Sequence, residues 1–140
     1  MTNGEWRVTN DEQRMTKGKK KSDLEERLID FAVRVIFLAS ALPKTKIGNH
    51  ISGQMIRSGT SPAPNYGEAQ DAESRSDFIH KVKIVLKELR ETRVWLLMIA
   101  KAKLIRPVSK IQPLIDECDE LISIFVKSAQ TARRNCKKPS

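Results

Sequence analysis

Cysteine is scarce in this chain, with two residues in 140, which is too few for a disulfide framework. Cys118 falls on an apolar helical stripe and Cys136 in a polar tail. No bridge between them is expected, and a reducing cytosol is the simplest compartment. Histidine is as rare. Asp77 and His80 form one acid-x-x-His pair, but a di-iron bundle needs a second such pair and two further inward carboxylates. The only other histidine, His50, has Ile47 three residues before it, so no metal or cofactor is expected. The six glycines show neither P-loop nor dinucleotide spacing. Aromatics are 5% of the chain, and no groove-reading motif accompanies them, so base-specific readout of nucleic acid has no visible apparatus. No apolar run approaches the roughly 18–20 residues that span a bilayer. The stretch from Met1 to Trp6 lacks the apolar segment of a signal peptide. These absences point away from a membrane, a secreted scaffold or an enzyme, and towards a cytoplasmic protein.

What is present is charge and helical periodicity. The formal net charge is +9. Residues 1–22 carry +3 and residues 127–140 carry +5, while 23–126 carry only +1. Basic ends around a nearly neutral body suit contact with phosphate backbone or another acidic partner, and they also serve solubility. Residues 1–21 contain Lys17, Lys19, Lys20 and Lys21 with Trp6 as their one large anchor, and read as a disordered basic arm.

Four helices are predicted over 22–134, followed by a basic tail at 135–140. Ser22 with Glu25 makes a capping box opening a helix to about Leu42, with Leu24, Leu28, Phe31, Val35, Leu38 and Leu42 as its seam. Ile29, Val33 and Ile36 widen its apolar face. The second helix, about Lys44 to Ser58, sets Ile47, Ile51 and Met55 beside Gly48 and Ser52, small residues that let backbones approach. An interruption is expected at 58–62, with Ser61 as a cap before Pro62, and helix resuming over Asn65–Ala72. Ser74 with Asp77 caps the third helix, which runs to about Lys103. Its core, Phe78 to Ala100, is apolar at 14 of 23 positions. Phe78, Val82, Val85, Leu89, Thr92, Leu96 and Ile99 recur at spacings of four and three, the seam of a helix packed lengthwise on others. From Val94 to Ala100 every residue is apolar, so that part is expected to be enclosed on all sides, partly by other copies. Pro107 closes the connection, and a fourth helix starts near Ser109, its seam running from Ile111 through Leu114, Cys118, Leu121 and Phe125 to Ala132. Short connections and no strand pattern give an all-α, up-down-up-down bundle.

Arg57-Ser-Gly-Thr-Ser61, Asn65-Tyr-Gly-Glu-Ala69, Ala72-Glu-Ser-Arg-Ser-Asp-Phe-Ile-His-Lys81 and Leu86-Lys-Glu-Leu-Arg-Glu-Thr-Arg93 with Trp95-Leu resemble the bacterial four-helix bundle proteins encoded in intervening sequences of large-subunit ribosomal RNA genes. Distant relatives of that family serve as accessory variability proteins of diversity-generating retroelements. The resemblance spans about residues 22–134. It implies a homopentameric barrel of bundles around a central channel. In the retroelement branch it implies a basic barrel that binds nucleic acid and a reverse transcriptase.

Two groups of residues follow as candidate sites. Lys83, Lys87 and Arg90 share one stripe of the third helix. With Lys19, Lys20, Lys21, Arg133 and Arg134 they could bind RNA or DNA backbone, although charge runs are also ordinary solvated faces and Lys87–Glu91 is an ordinary helix pair. Arg57, Glu68, Glu73 and Arg75 flank the interrupted second helix and could form an interfacial ion-pair network or stand as solvated loop charges. Cys118 on an apolar seam reads as a core thiol rather than a nucleophile. The expectation is a non-enzymatic homo-oligomer, a pentamer, acting as a nucleic-acid-binding or scaffolding accessory. The alternative is a protein–protein adaptor with no nucleic-acid role.

Overall fold

A computed structural model describes residues 23–137, the side chains of 136 and 137 apart. The expected arm, Trp6, the Ser22 cap and residues 138–140 lie outside that range. Helix α1 is Asp23–Ser40. Asp23, Glu25 and Glu26 fill its first turn, where carboxylates meet the positive end of the helix dipole. Leu24, Leu28, Phe31, Val35 and Ala39 bury one stripe. The helix stops at Ser40, short of the expected Leu42, and the Ser40 hydroxyl donates back to the Ile36 carbonyl at 3.0 Å.

Helix α2 is Lys46–Thr60, capped by Thr45, whose hydroxyl accepts the Gly48 amide at 3.1 Å. Gly48 does not bring two helices together. A Cβ there would lie 1.9 Å from the Pro43 carbonyl oxygen, so the glycine admits the incoming connection. The close helix approach is at Gly59, where a Cβ would meet Val35 of α1 at 2.7 Å. The expected interruption is a single residue: α3, Pro62–Gln70, begins directly after Ser61. Ser61 is itself helical (φ −74°, ψ −35°) and its side chain caps nothing. Instead, the Asn65 amide donates to the Ser61 carbonyl at 3.0 Å and to its hydroxyl at 2.9 Å.

Ser74 caps α4, Arg75–Lys101, as expected, accepting the Asp77 amide at 3.1 Å. All seven seam positions of α4, from Phe78 to Ile99, are buried. At its C-terminus Lys103 adopts a left-handed conformation (φ 56°). The Lys103 and Leu104 amides then donate to the carbonyls of Ala100 and Ile99, the pairing usually built on a C-terminal glycine. A 3₁₀ turn, Val108–Lys110, leads into α5, Gln112–Lys137, with Pro113 in its first turn. Helix α5 thus continues past the expected boundary at Arg134.

Two contacts fix the topology. The Arg75 guanidinium, at the start of α4, donates to the Asn135 carbonyl near the end of α5 at 2.9 Å. The end of α1 (Leu38, Ala41) shares a groove with Leu104 and Ile105 after α4 and Leu114 early in α5. The chain therefore runs up, down, up, down, with α2 and α3 forming one kinked second helix. Helix α4 packs on α5, α3 and α2, whereas α1 packs mainly on α2, so α1 and α4 stand diagonally. Phe31, Phe78, Phe125, Leu89 and Leu121 fill the centre, each large side chain contributing about 1.5–3 kcal/mol by burial. Tyr66 meets Phe125 edge to face, ring centroids 5.5 Å apart.

Candidate nucleic-acid and assembly surfaces

The outer face of α4 changes character along its length. Positions 83, 87, 90, 94, 98 and 101 follow helical spacing. Lys83, Lys87 and Arg90 are exposed and hold no ion pair among the described residues. Val94 and Met98 follow, 47% and 46% exposed, and then Lys101. The expected enclosure of Val94–Ala100 is therefore not achieved within one chain. Trp95, Leu97 and Ala100 are half-buried while Val94 and Met98 face outward.

A second apolar surface lies on α1. Ile29, Val33 and Ile36, expected to widen the core-facing stripe, are 40–45% exposed. The core takes only the stripe of Leu24, Leu28, Phe31, Val35 and Ala39, which leaves the far flank open. Beside them Phe37 is 69% exposed. It stands off the seam between Ile36 and Leu38, four residues after Val33, and that off-seam spacing was the signal for it. Among the described residues the other Phe, Tyr and Trp side chains are buried or half-buried.

On its α2-facing side, α4 carries a polar layer. The Thr92 hydroxyl lies 2.8 Å from the Ser58 hydroxyl and donates to the Glu88 carbonyl at 2.8 Å, all within the core. Toward the rim Arg57 bonds Glu88 at 3.2 Å and also pairs with Glu91. Glu91 further accepts the Trp95 indole N–H at 3.1 Å. The Arg57 hydrogen bond, seconded by that indole, holds the Glu91 carboxyl below its usual pKa, and the Glu91 carboxylate in turn raises that of Arg57.

The quartet Arg57, Glu68, Glu73 and Arg75 is not one network. Arg57 reaches across to α4, Glu68 pairs with Lys81 at 2.5 Å, Arg75 bonds the Asn135 carbonyl, and Glu73 is exposed. Arg57, Glu68 and Arg75 sit on three successive helices, α2, α3 and α4, and each bonds a group on a facing helix, while Glu73 lies in the connection before α4. The hydrogen bond from Lys81 to Glu68 raises the lysine pKa. Across the α1–α5 contact, Arg27 forks onto Glu117 (2.8 and 3.0 Å) and Glu120 (2.6 Å), and those bonds raise its pKa against the cost of burial. Arg93 pairs with Asp119 at 2.5 Å.

Two segments that meet at one end of the bundle carry no acid, the first carboxylate of α5 being Asp116, which accepts from Gln112 at 2.9 Å. From Phe31 to His50 and from Thr92 to Ile115 there is no Asp or Glu, and there are eight Lys or Arg. Of these, Arg34, Lys101, Lys103, Arg106 and Lys110 hold no ion pair among the described residues. At the other end Arg133 and Arg134 are exposed on α5. Lys19, Lys20 and Lys21 lie outside the described residues. Cys118 is buried, its thiol 3.3 Å from the Leu89 carbonyl, and burial pushes its pKa up to about 12. Such a thiol stays protonated and is a poor nucleophile. Asp77 and His80 are exposed, and among the described residues no group of three or more His, Cys, Asp or Glu could hold a metal ion. Nor is any helix among them long and apolar enough to cross a membrane.

A family model described as 23S rRNA-intervening sequence protein matches residues 20–127. Among solved structures, the chain is similar to a crystal structure of a protein of unknown function from the S23 ribosomal protein family of Bacteroides thetaiotaomicron VPI-5482. The two are 31% identical with a TM-score of 0.71, over 76% of this chain and 98% of the other. No match is found among curated proteins.

Proposed function

This chain belongs to the 23S rRNA-intervening sequence protein family, and we propose that within it the chain acts without catalysis, as a pentameric accessory that binds nucleic-acid backbone and scaffolds a partner. The observation that carries this reading is the outer face of α4, where unpaired Lys83, Lys87 and Arg90 adjoin exposed Val94 and Met98. A cationic stripe beside an apolar patch suits a surface that meets phosphate and another copy side by side. The second apolar patch, Ile29, Val33 and Ile36, is on the diagonal helix α1. Two different patches on opposite flanks favour head-to-tail contacts, which close into a ring when the rotation allows. Five copies is the number implied by the family resemblance. Cys118, the nucleophile candidate weighed in the sequence, is buried, which supports a reading without catalysis.

The experiment is sedimentation equilibrium at micromolar concentration together with a salt titration of binding to unrelated RNA and DNA of equal length. A stable oligomer is expected, with log affinity falling linearly in log salt by about 0.7–0.9 per phosphate contact. A clean monomer would sink the ring. Binding of neither nucleic acid at about 50 mM salt would leave the adaptor reading in its place.

A further inference from the structure

The acid-free end holds a groove of about 540 Å³ between the close of α1, the α4–α5 connection and the start of α5. That is within the size range of small-ligand sites. Leu38 and Leu104 belong to its apolar lining, Phe37 stands in it, and Arg34, Arg106 and Lys110 line it with no carboxylate among them. We infer that this groove binds a single-stranded nucleic-acid segment, one base stacking on Phe37 while Arg34, Arg106 and Lys110 take the flanking phosphates. The inference rests on the nucleic-acid reading above and gives it a location apart from the α4 stripe.

Three observations converge on that ligand. First, Phe37 is 69% exposed, although the core takes every other phenylalanine. A solvated phenyl ring among cations is what strand-binding grooves use, because every base has a π-face. Second, the three cations hold no ion pair among the described residues. Arg106 spends only its Nε, which donates to the Lys103 carbonyl at 3.2 Å, leaving both terminal nitrogens for an anion. Third, the chain's own ends are the wrong charge for this groove, at +3 for residues 1–22 and +5 for 127–140. A duplex keeps its bases stacked inside, so the ring engages only a strand whose bases are free. The contact needs no base-edge donors, in keeping with binding blind to sequence.

The test uses the full-length protein and a labelled RNA of about 12 nucleotides, within the site sizes of single-strand binders, beside a duplex of equal phosphate number. Phe37→Ala should weaken single-strand binding by about 5- to 150-fold and leave duplex binding nearly unchanged, and Phe37→Trp should retain both. Arg106→Gln with Lys110→Gln should lower both and flatten the salt dependence. Sedimentation and thermal melting of each variant separate loss of the site from loss of fold or assembly. If Phe37→Ala alters neither affinity, or both alike, the stacking platform is refuted. If the wild-type protein binds no nucleic acid at about 50 mM salt, the broader reading falls with it. If a glutamate-rich peptide occupies the groove and RNA does not displace it, the groove is a protein-docking site and the inference is overturned.

Discussion

The two ends of the bundle hold similar numbers of cations but treat them differently. At the end where α4 starts and α5 finishes, positive groups sit among Glu68, Asp71, Glu73 and Asp77. There Lys81 finds Glu68, and Arg75 finds a helix-terminal carbonyl. At the end where α1 and α4 finish, no carboxylate occurs from Phe31 to His50 or from Thr92 to Ile115. Like charges repel one another within a Debye length, about 10 Å at 0.1 M salt, so under the proposed function a polyanion bound at this end would relieve repulsion there. The first end sets cations among carboxylates, whereas at the second Arg34, Lys101, Lys103, Arg106 and Lys110 hold no ion pair among the described residues.

The largest test of that contrast removes the same charge from each end. Arg106→Gln with Lys110→Gln should reduce the salt slope of nucleic-acid binding by about 1.4–1.8, two contacts at 0.7–0.9 each. Arg133→Gln with Arg134→Gln should change it by less than half as much. Equal effects in a salt titration would mean that position along the bundle is irrelevant and only total charge counts.

Acid titration probes the boundary, because Glu91 is the last carboxylate on α4 before the acid-free end. Its folded pKa is depressed by Arg57 and the Trp95 indole. The stability it contributes is therefore complete above the ordinary glutamate pKa of about 4.3 and is lost as pH falls through the lower folded value. Melting temperature should drop more steeply below about pH 4.3 in the wild type than in Glu91→Gln, and the two curves should converge. Parallel curves would show that the pair does not couple to folding.

The smallest effect concerns Lys103, a non-glycine residue in the left-handed region at the acid-free end. Lys103→Gly removes both the conformational strain and one unbalanced cation. It should raise stability by about 0.5–1 kcal/mol, the left-handed penalty less glycine's entropy in the unfolded chain. Chemical denaturation reads this directly, and a loss of stability would mean that the lysine side chain makes a contact worth more than the strain.

The α4 seam was legible because one helix face is a local property, and spacing alone identifies it. The break after α2 was legible in its place, within 58–62, but not in its one-residue extent, where forces compete. A residue before proline ordinarily avoids helical dihedrals, yet Ser61 adopts them, with Pro62 buried and Asn65 bonding back to it. Packing outweighs the local preference. The ion pairs were illegible because partner choice depends on which helices become neighbours. Nothing near Arg57 in the chain announces Glu88 or Glu91, more than thirty residues away. The basic groove was half visible: its cations are plain in the sequence, but Phe37 meets them only once α1 lies against the α4–α5 connection.

Gly59 gives α2 a notch into which Val35 of α1 fits. One helical turn to either side, the same valine would face Met55 or Ala63, whose side chains occupy the space that Gly59 leaves empty. Smooth apolar helices slide past one another at little cost, since each turn, about 5.4 Å, trades one aliphatic contact for another. A notch admits a single alignment. The missing side chain therefore carries positional information, setting how far α1 extends beside α2 and so where Phe37 stands relative to the cations of the α4–α5 connection.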